Sequence, residues 1–262
     1  MNCLEKYRSK LVTDINRNLR VIVMNPDREA IHKFRVGVKR LTALYRLLGV
    51  AKSGLKAKKI VRPARALSRS ISKIRDSHIT QQLISEMEVL DAAQRKALLQ
   101  ALNGKIRNDY RAFRRFADEH ASIPLRLPSI RSMALGEATI LRHKPLELNR
   151  LLTQVLNTDK RLNARQWHDK RILLKRYHHS LDAFQFCPGH THDEEELKQM
   201  KMLEQLLGDW HDRVVAVEIL SSFTRVEAEV SIAVKCLKAE ERLLLGAARI
   251  YLARFAIWHQ QN

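Results

Sequence analysis

From end to end this chain of 262 residues places its apolar side chains three and four positions apart, and strict two-residue alternation is scarce. A helix turning once in about 3.6 residues gathers such positions onto one face, whereas a strand needs a period of two. Residues 31–48 show the pattern at its cleanest, with Ile31, Phe34, Val38, Leu41, Tyr45 and Leu48 on a single seam. Asn25-Pro26-Asp27 ahead of them reads as a helix start, and Asp27 and Glu29 suit the positive end of the helix dipole. Ile60, Ala64, Leu67, Ile71 and Ile74 make a second seam over 58–78, with Pro63 expected in its first turn or at a kink. Further helices are expected near 3–24, 80–102, 104–120, 130–157, 165–185, 194–221 and 224–259. The fold class that this spacing dictates is all-α.

Only 8 glycines and 6 prolines interrupt the helical pattern. Pro124 and Pro128 fall in a stretch, Ala121 to Pro128, that carries no seam and reads as a linker. It divides the chain into expected halves at 1–124 and 129–262, and the halves resemble one another. His32-Lys33-Phe34-Arg35-Val36-Gly37-Val38-Lys39-Arg40 and His168-Asp169-Lys170-Arg171-Ile172-Leu173-Leu174-Lys175-Arg176 both read H-x-x-R-[VI]-x-x-K-R, 136 residues apart. The same offset carries Leu67 onto Leu203, Ile71 onto Leu207, Ile74 onto Trp210 and Asp76 onto Asp212. A register kept without a gap across two helices reads as an internal duplication.

The basic residues follow the same geometry. Arg28, His32, Arg35, Lys39 and Arg46 share one face of the first motif helix, and most stand one residue beyond an apolar seam position. That puts the stripe about 100° around from the seam, on the shoulder of the buried face, where it can wall a cleft between packed helices. Arg161, His168, Arg171, Lys175 and His178 repeat the arrangement, and Arg65, Arg69 and Lys73 add a row on the next helix. Glu194, Glu195 and Glu196 stand in the second half where Lys58, Lys59 and Ile60 stand in the first, so the halves are unequal. Lys105 to Arg115 carries more cations, best read as a solvated face. Asp76 and Asp212 are expected to organise neighbouring cations or cap a turn, not to act as bases.

A net charge of +20 exceeds what solubility requires and points to a polyanionic partner. No apolar run approaches the 18 or so residues of a membrane span, and the N-terminus lacks the apolar core of a signal peptide. Cys3, Cys187 and Cys236 are odd in number and far apart, so reduced thiols and a cytoplasmic setting are expected. No cofactor and no metal site are expected. The loop around His190 and His192 is weak as a metal motif, and adjacent His178 and His179 point too far apart to share an ion.

The paired H-x-x-R-[VI]-x-x-K-R segments, each followed by L-x-x-x-[IL]-x-x-[IW]-x-D ending at Asp76 or Asp212, resemble the CHAD family, the conserved histidine α-helical domain. The second copy departs from the family pattern at His178-His179. The resemblance implies two pseudo-symmetric four-helix bundles with a basic cavity or pore between them. It further implies binding of inorganic polyphosphate and association with polyphosphate granules or polyphosphate-metabolising enzymes; no turnover is expected, because the residues placed in the cavity are cations and not clustered carboxylates. The family's basic motif falls on His32, Arg35, Lys39, Arg40, His168, Arg171, Lys175 and Arg176. Arg28, Arg46, Arg65, Arg69 and Lys73 extend it by face geometry.

Three other readings stand beside this one. A nucleic-acid-binding protein explains the charge, but aromatics are only 6% of residues, so there is little for bases to stack on, and nucleic acid is expected only as a weaker competitor. A metal-dependent phosphohydrolase would want clustered carboxylates for Mg²⁺ where this chain has cations. A scaffold without a ligand is the remaining alternative.

Overall fold

The computed structural model describes residues 3–52, 55–120, 124–133, 136–157, 162–187 and 194–261; apart from the connections and residues 124–130 these are helical, with no strand among them. Helix α1 spans Cys3–Met24 and α2 spans Arg28–Ala51, joined by the Asn25-Pro26-Asp27 turn. Asp27 caps α2 by accepting a hydrogen bond from the Ala30 amide at 2.7 Å, as its place in the sequence predicts. The two helices pack as a hairpin through Leu11, Ile15 and Leu19 of α1 and Ile31, Phe34, Val38 and Leu41 of α2, all buried.

The seam over 58–78 does not make one helix. It breaks at Val61 and again at Ile71, giving α3 (Ala57–Ile60), α4 (Arg62–Ser70) and α5 (Ser72–Glu86). Pro63 sits in the first turn of α4, where its missing N–H costs nothing. The next break comes at Met87 to Asp91, not near residue 103, and α6 (Ala92–His120) runs through Gly104 unbroken. A short 3₁₀ turn, Arg131–Met133, precedes α7 (Glu137–Arg142) and α8 (Lys144–Leu156). Helix α9 (Ala164–Gln185) opens with a capping box, in which Asn163 and Gln166 each accept from the other's backbone amide. Long helices α10 (Glu194–Leu220) and α11 (Glu227–Gln261) complete the order. No helix among the described residues is long and apolar enough to cross a membrane.

The chain divides into two compact units, and neither is one half of the sequence. The first comprises Met1–Arg69 and Phe116–Met200, the second Ser70–Arg115 and Lys201–Asn262. Each therefore takes segments from both sides of the expected boundary at 124–129. The second unit has its own core, centred on Ile84, Leu98, Leu102, Ala216, Leu220 and Leu237.

Within the first unit, residues 124–130 are not a linker but a strap packed on α1. The Asn16 side-chain amide donates to the Leu125 carbonyl at 3.1 Å and accepts from the Leu125 amide at 2.7 Å. The Ile130 amide donates to the Glu5 carboxylate at 2.6 Å, and the buried Tyr45 hydroxyl on α2 donates to the Pro128 carbonyl. The prolines prevent a helix here, and side chains of α1 and α2 replace the lost backbone partners.

The cysteine expectation is corrected. Cys3, at the start of α1, is disulfide-bonded to Cys187, just beyond α9, with Cα atoms 5.4 Å apart. A sequence separation of 184 concealed that the two helix ends meet. Cys236 alone is a free thiol, and burial together with the neighbouring Glu240 carboxylate raises its pKa.

Candidate anion-binding cleft

The two motif helices pack against each other inside the first unit. Arg40 of α2 forms an ion pair with Asp182 of α9 at 2.9 Å, and further along α2 Arg46 lies within the electrostatic reach of Arg176. Numbers rise along one helix as they fall along the other, so α2 and α9 run antiparallel, crossing near Ala43 and His179. Arg35 turns inward and donates from Nη1 to the Ser68 carbonyl at 3.1 Å, which fastens α4 beside the crossing.

The three helices enclose a cleft of about 230 Å³. From α2 it takes Val38, Lys39, Thr42, Ala43 and Arg46, from α4 Arg65, Ser68 and Arg69, and from α9 Arg171, Ile172, Lys175, Arg176 and His179. Among the described residues, no aspartate, glutamate, phenylalanine, tyrosine or tryptophan is in that lining. The shoulder geometry accounts for several of the cations, which follow a residue that faces the core: Lys39 after Val38, Arg46 after Tyr45, Arg65 after Ala64 and Lys175 after Leu174.

Like charges crowd one end. Burial is the main cause that lowers the Arg46 pKa, and the guanidinium groups of Arg176 and Arg65 lower it further. Glu147 of α8 opposes them. That carboxylate is buried, at 4% exposure, and holds Arg150 at 2.9 Å as well as Arg176. Glu147 does not itself line the cleft.

The opposite end is already neutralised. Burial raises the Asp182 pKa, but the hydrogen bond from His179 and the charges of Arg40 and His178 outweigh it and hold the carboxyl below its ordinary range. The His179 Nδ1 lies 3.5 Å from Asp182 and the His178 Nε2 4.0 Å away.

The structure thus brings together Lys39, Arg46, Arg65, Arg69, Arg171, Lys175 and Arg176. Arg40 is beside the cleft but turned to Asp182, and Arg35 ties α2 to α4. Arg28 and His32 are exposed near the start of α2, and His168 is half-buried on α9; none of the three lines the cleft. Lys73 is exposed in the second unit, while Arg161, His190 and His192 lie outside the described residues. Among the described residues no three His, Cys, Asp or Glu side chains converge as a metal set. Asp182, Glu147 and the cleft-facing role of His179 were not anticipated. Asp182 did leave a signal, because the 136-residue offset pairs it with Arg46, a reversal of charge in an otherwise basic face.

Residues 6–221 match the family model of the CHAD domain. The chain belongs to the CHAD family. The CHAD domain from the plant Ricinus communis has the same fold, with a TM-score of 0.69 over 95% of this chain and 90% of that one, at 20% identity. PptA from Streptomyces chartreusis superposes with a TM-score of 0.62 at 15% identity, covering 97% of each chain. No curated protein matches the sequence. The all-α architecture is that of CHAD domains.

Proposed function

We propose that this CHAD protein binds inorganic polyphosphate in the α2–α4–α9 cleft, without turning it over, and that binding brings it to polyphosphate granules or to the enzymes that handle the polymer. The observation that carries this reading is the lining itself, in which Lys39, Arg65, Arg69, Arg171 and Lys175 converge with no carboxylate among them. Arginine forks and lysine point charges suit an anion that repeats its charge and has no base to be read. The absence of aromatic rings from the lining leaves a nucleobase nothing to stack on, which disfavours RNA or DNA as the ligand. The absence of carboxylates likewise leaves no acidic cradle for a hydrolytic Mg²⁺ within the cleft.

The test is a titration with polyphosphates of defined length at graded salt, using the intact chain and a Lys39→Glu/Arg171→Glu variant. Affinity is expected to fall linearly on a log–log salt plot, and to drop on the order of a hundredfold in the variant with helicity unchanged. RNA or DNA that displaces long-chain polyphosphate at equal phosphate concentration would overturn the reading. So would phosphate release from the polymer by metal-supplemented protein.

A further inference from the structure

The offset that relates the motif helices also relates the contacts at their crossing. It carries Arg40 onto Arg176 and Arg46 onto Asp182. The attractive pair Arg40–Asp182 therefore has as its counterpart the repulsive pair Arg176–Arg46. One end of the crossing is closed by an internal ion pair, and the other gathers Arg46, Arg65 and Arg176 on the wall of one cleft. Arg46 is half-buried, so solvent screens this crowding less than it would at an open surface. Glu147 restrains Arg176 from outside the lining and leaves the cluster with an excess of positive charge.

Resting on the polyphosphate reading, we propose that Arg46, Arg65 and Arg176 form an anchoring subsite for the terminal phosphate of the chain, while the matching position at the other end of the crossing is closed by Asp182. Interior units of a linear polyphosphate carry one charge each. A terminal unit has a second ionisation near neutral pH, with a pKa of about 6 for a phosphate monoester, and three non-bridging oxygens where an interior unit has two, so one more can accept from guanidinium forks. A partly buried cluster of like charges gains most from the unit that brings the most negative charge. The cleft then takes its ligand from one end and has a direction that the duplicated motifs alone would not give it.

The intact chain, Arg46→Gln, Arg65→Gln and Arg171→Gln are titrated at one ionic strength with long-chain polyphosphate, linear tripolyphosphate and cyclic trimetaphosphate. The two short ligands have the same number of phosphorus atoms, and only the linear one has ends. The wild type is expected to prefer the linear form. Arg46→Gln and Arg65→Gln should each weaken tripolyphosphate on the order of tenfold and bring its affinity close to that of the ring. Arg171→Gln, also in the cleft, should weaken both short ligands alike and keep the preference. A preference that survives in either Arg46→Gln or Arg65→Gln, or that is absent from wild type while the long chain binds, overturns the subsite and leaves the polyphosphate reading intact. A wild type that binds none of the three removes that reading together with the subsite.

Discussion

Gly37 stands at an unremarked position of the first motif, yet the α1–α2 hairpin depends on it. A Cβ there would lie 2.8 Å from Cγ1 of Ile15, which is 1% exposed and has no room to retreat. Gly37→Ala should therefore destabilise the protein by about 1–3 kcal/mol despite alanine's better helix propensity. Denaturant titration of Gly37→Ala, Ile15→Ala and the double variant should show a double cost well below the sum of the singles, since the added methyl fills part of the space that Ile15 vacates. Asp182 gives a second expectation at this scale. Its carboxyl titrates lower folded than unfolded, so its contribution is present above about pH 4 and is lost as pH falls through the depressed folded value. Asp182→Asn should flatten the pH dependence of stability in that acid range, read from urea midpoints between neutral pH and pH 2; an unchanged slope would refute the assignment. Single residues were legible in the sequence where one helix decides their surroundings. Lys39, Arg46, Lys175 and Arg176 reach the cleft because a seam neighbour fixes their angle. Arg40 could not be sorted from them, because its partner Asp182 belongs to another helix.

Helix positions followed the same division between local and distant causes. α1 and α9 begin and end within a residue or two of where the spacing puts them, because Asn163 and the Asn25-Pro26-Asp27 turn act on their own neighbours. Pro63 announces the break at Val61, but those at Ile71 and Met87 carry no comparable signal: the apolar seam continues through Ile71, and only the structure shows the chain changing course there. The strap at 124–130 is the clearest case. Two prolines announce the loss of helix, but nothing local announces that Asn16, more than a hundred positions earlier, will supply both missing hydrogen bonds. Asn16 is buried, so Asn16→Ala should strand the Leu125 amide and carbonyl and cost roughly 2–4 kcal/mol by chemical denaturation. A cost near zero would mean that water reaches the strap and that it is no more than a linker.

At the scale of the whole molecule, the repeats in the sequence and the compact units in space are cut differently. Of the three unit boundaries, one falls at the last residue of α4 and two fall inside α6 and α10, so each of these two long helices belongs partly to one unit and partly to the other. A one-dimensional search for similar segments finds motifs in order along the chain, and it carries no information about which helices share a core. The pairing of Cys3 with Cys187 is the same kind of fact, legible only once α1 and α9 are placed. Reduction should lower the stability of the first unit by about 2–4 kcal/mol, with a Cys3→Ala/Cys187→Ala variant matching the reduced wild type. Measuring both in the presence and absence of reductant separates loss of the bond from loss of the side chains. The bond also has a topological meaning. It closes a covalent ring that runs from Cys3 through both cleft-lining motif helices to Cys187, leaving α10 and α11 as a tail. A protease that cuts the backbone once anywhere within that ring opens a loop but releases nothing. On a denaturing gel the nicked protein stays one covalent species until a reductant is added, whereas a single cut in the tail gives two separate fragments with or without reductant.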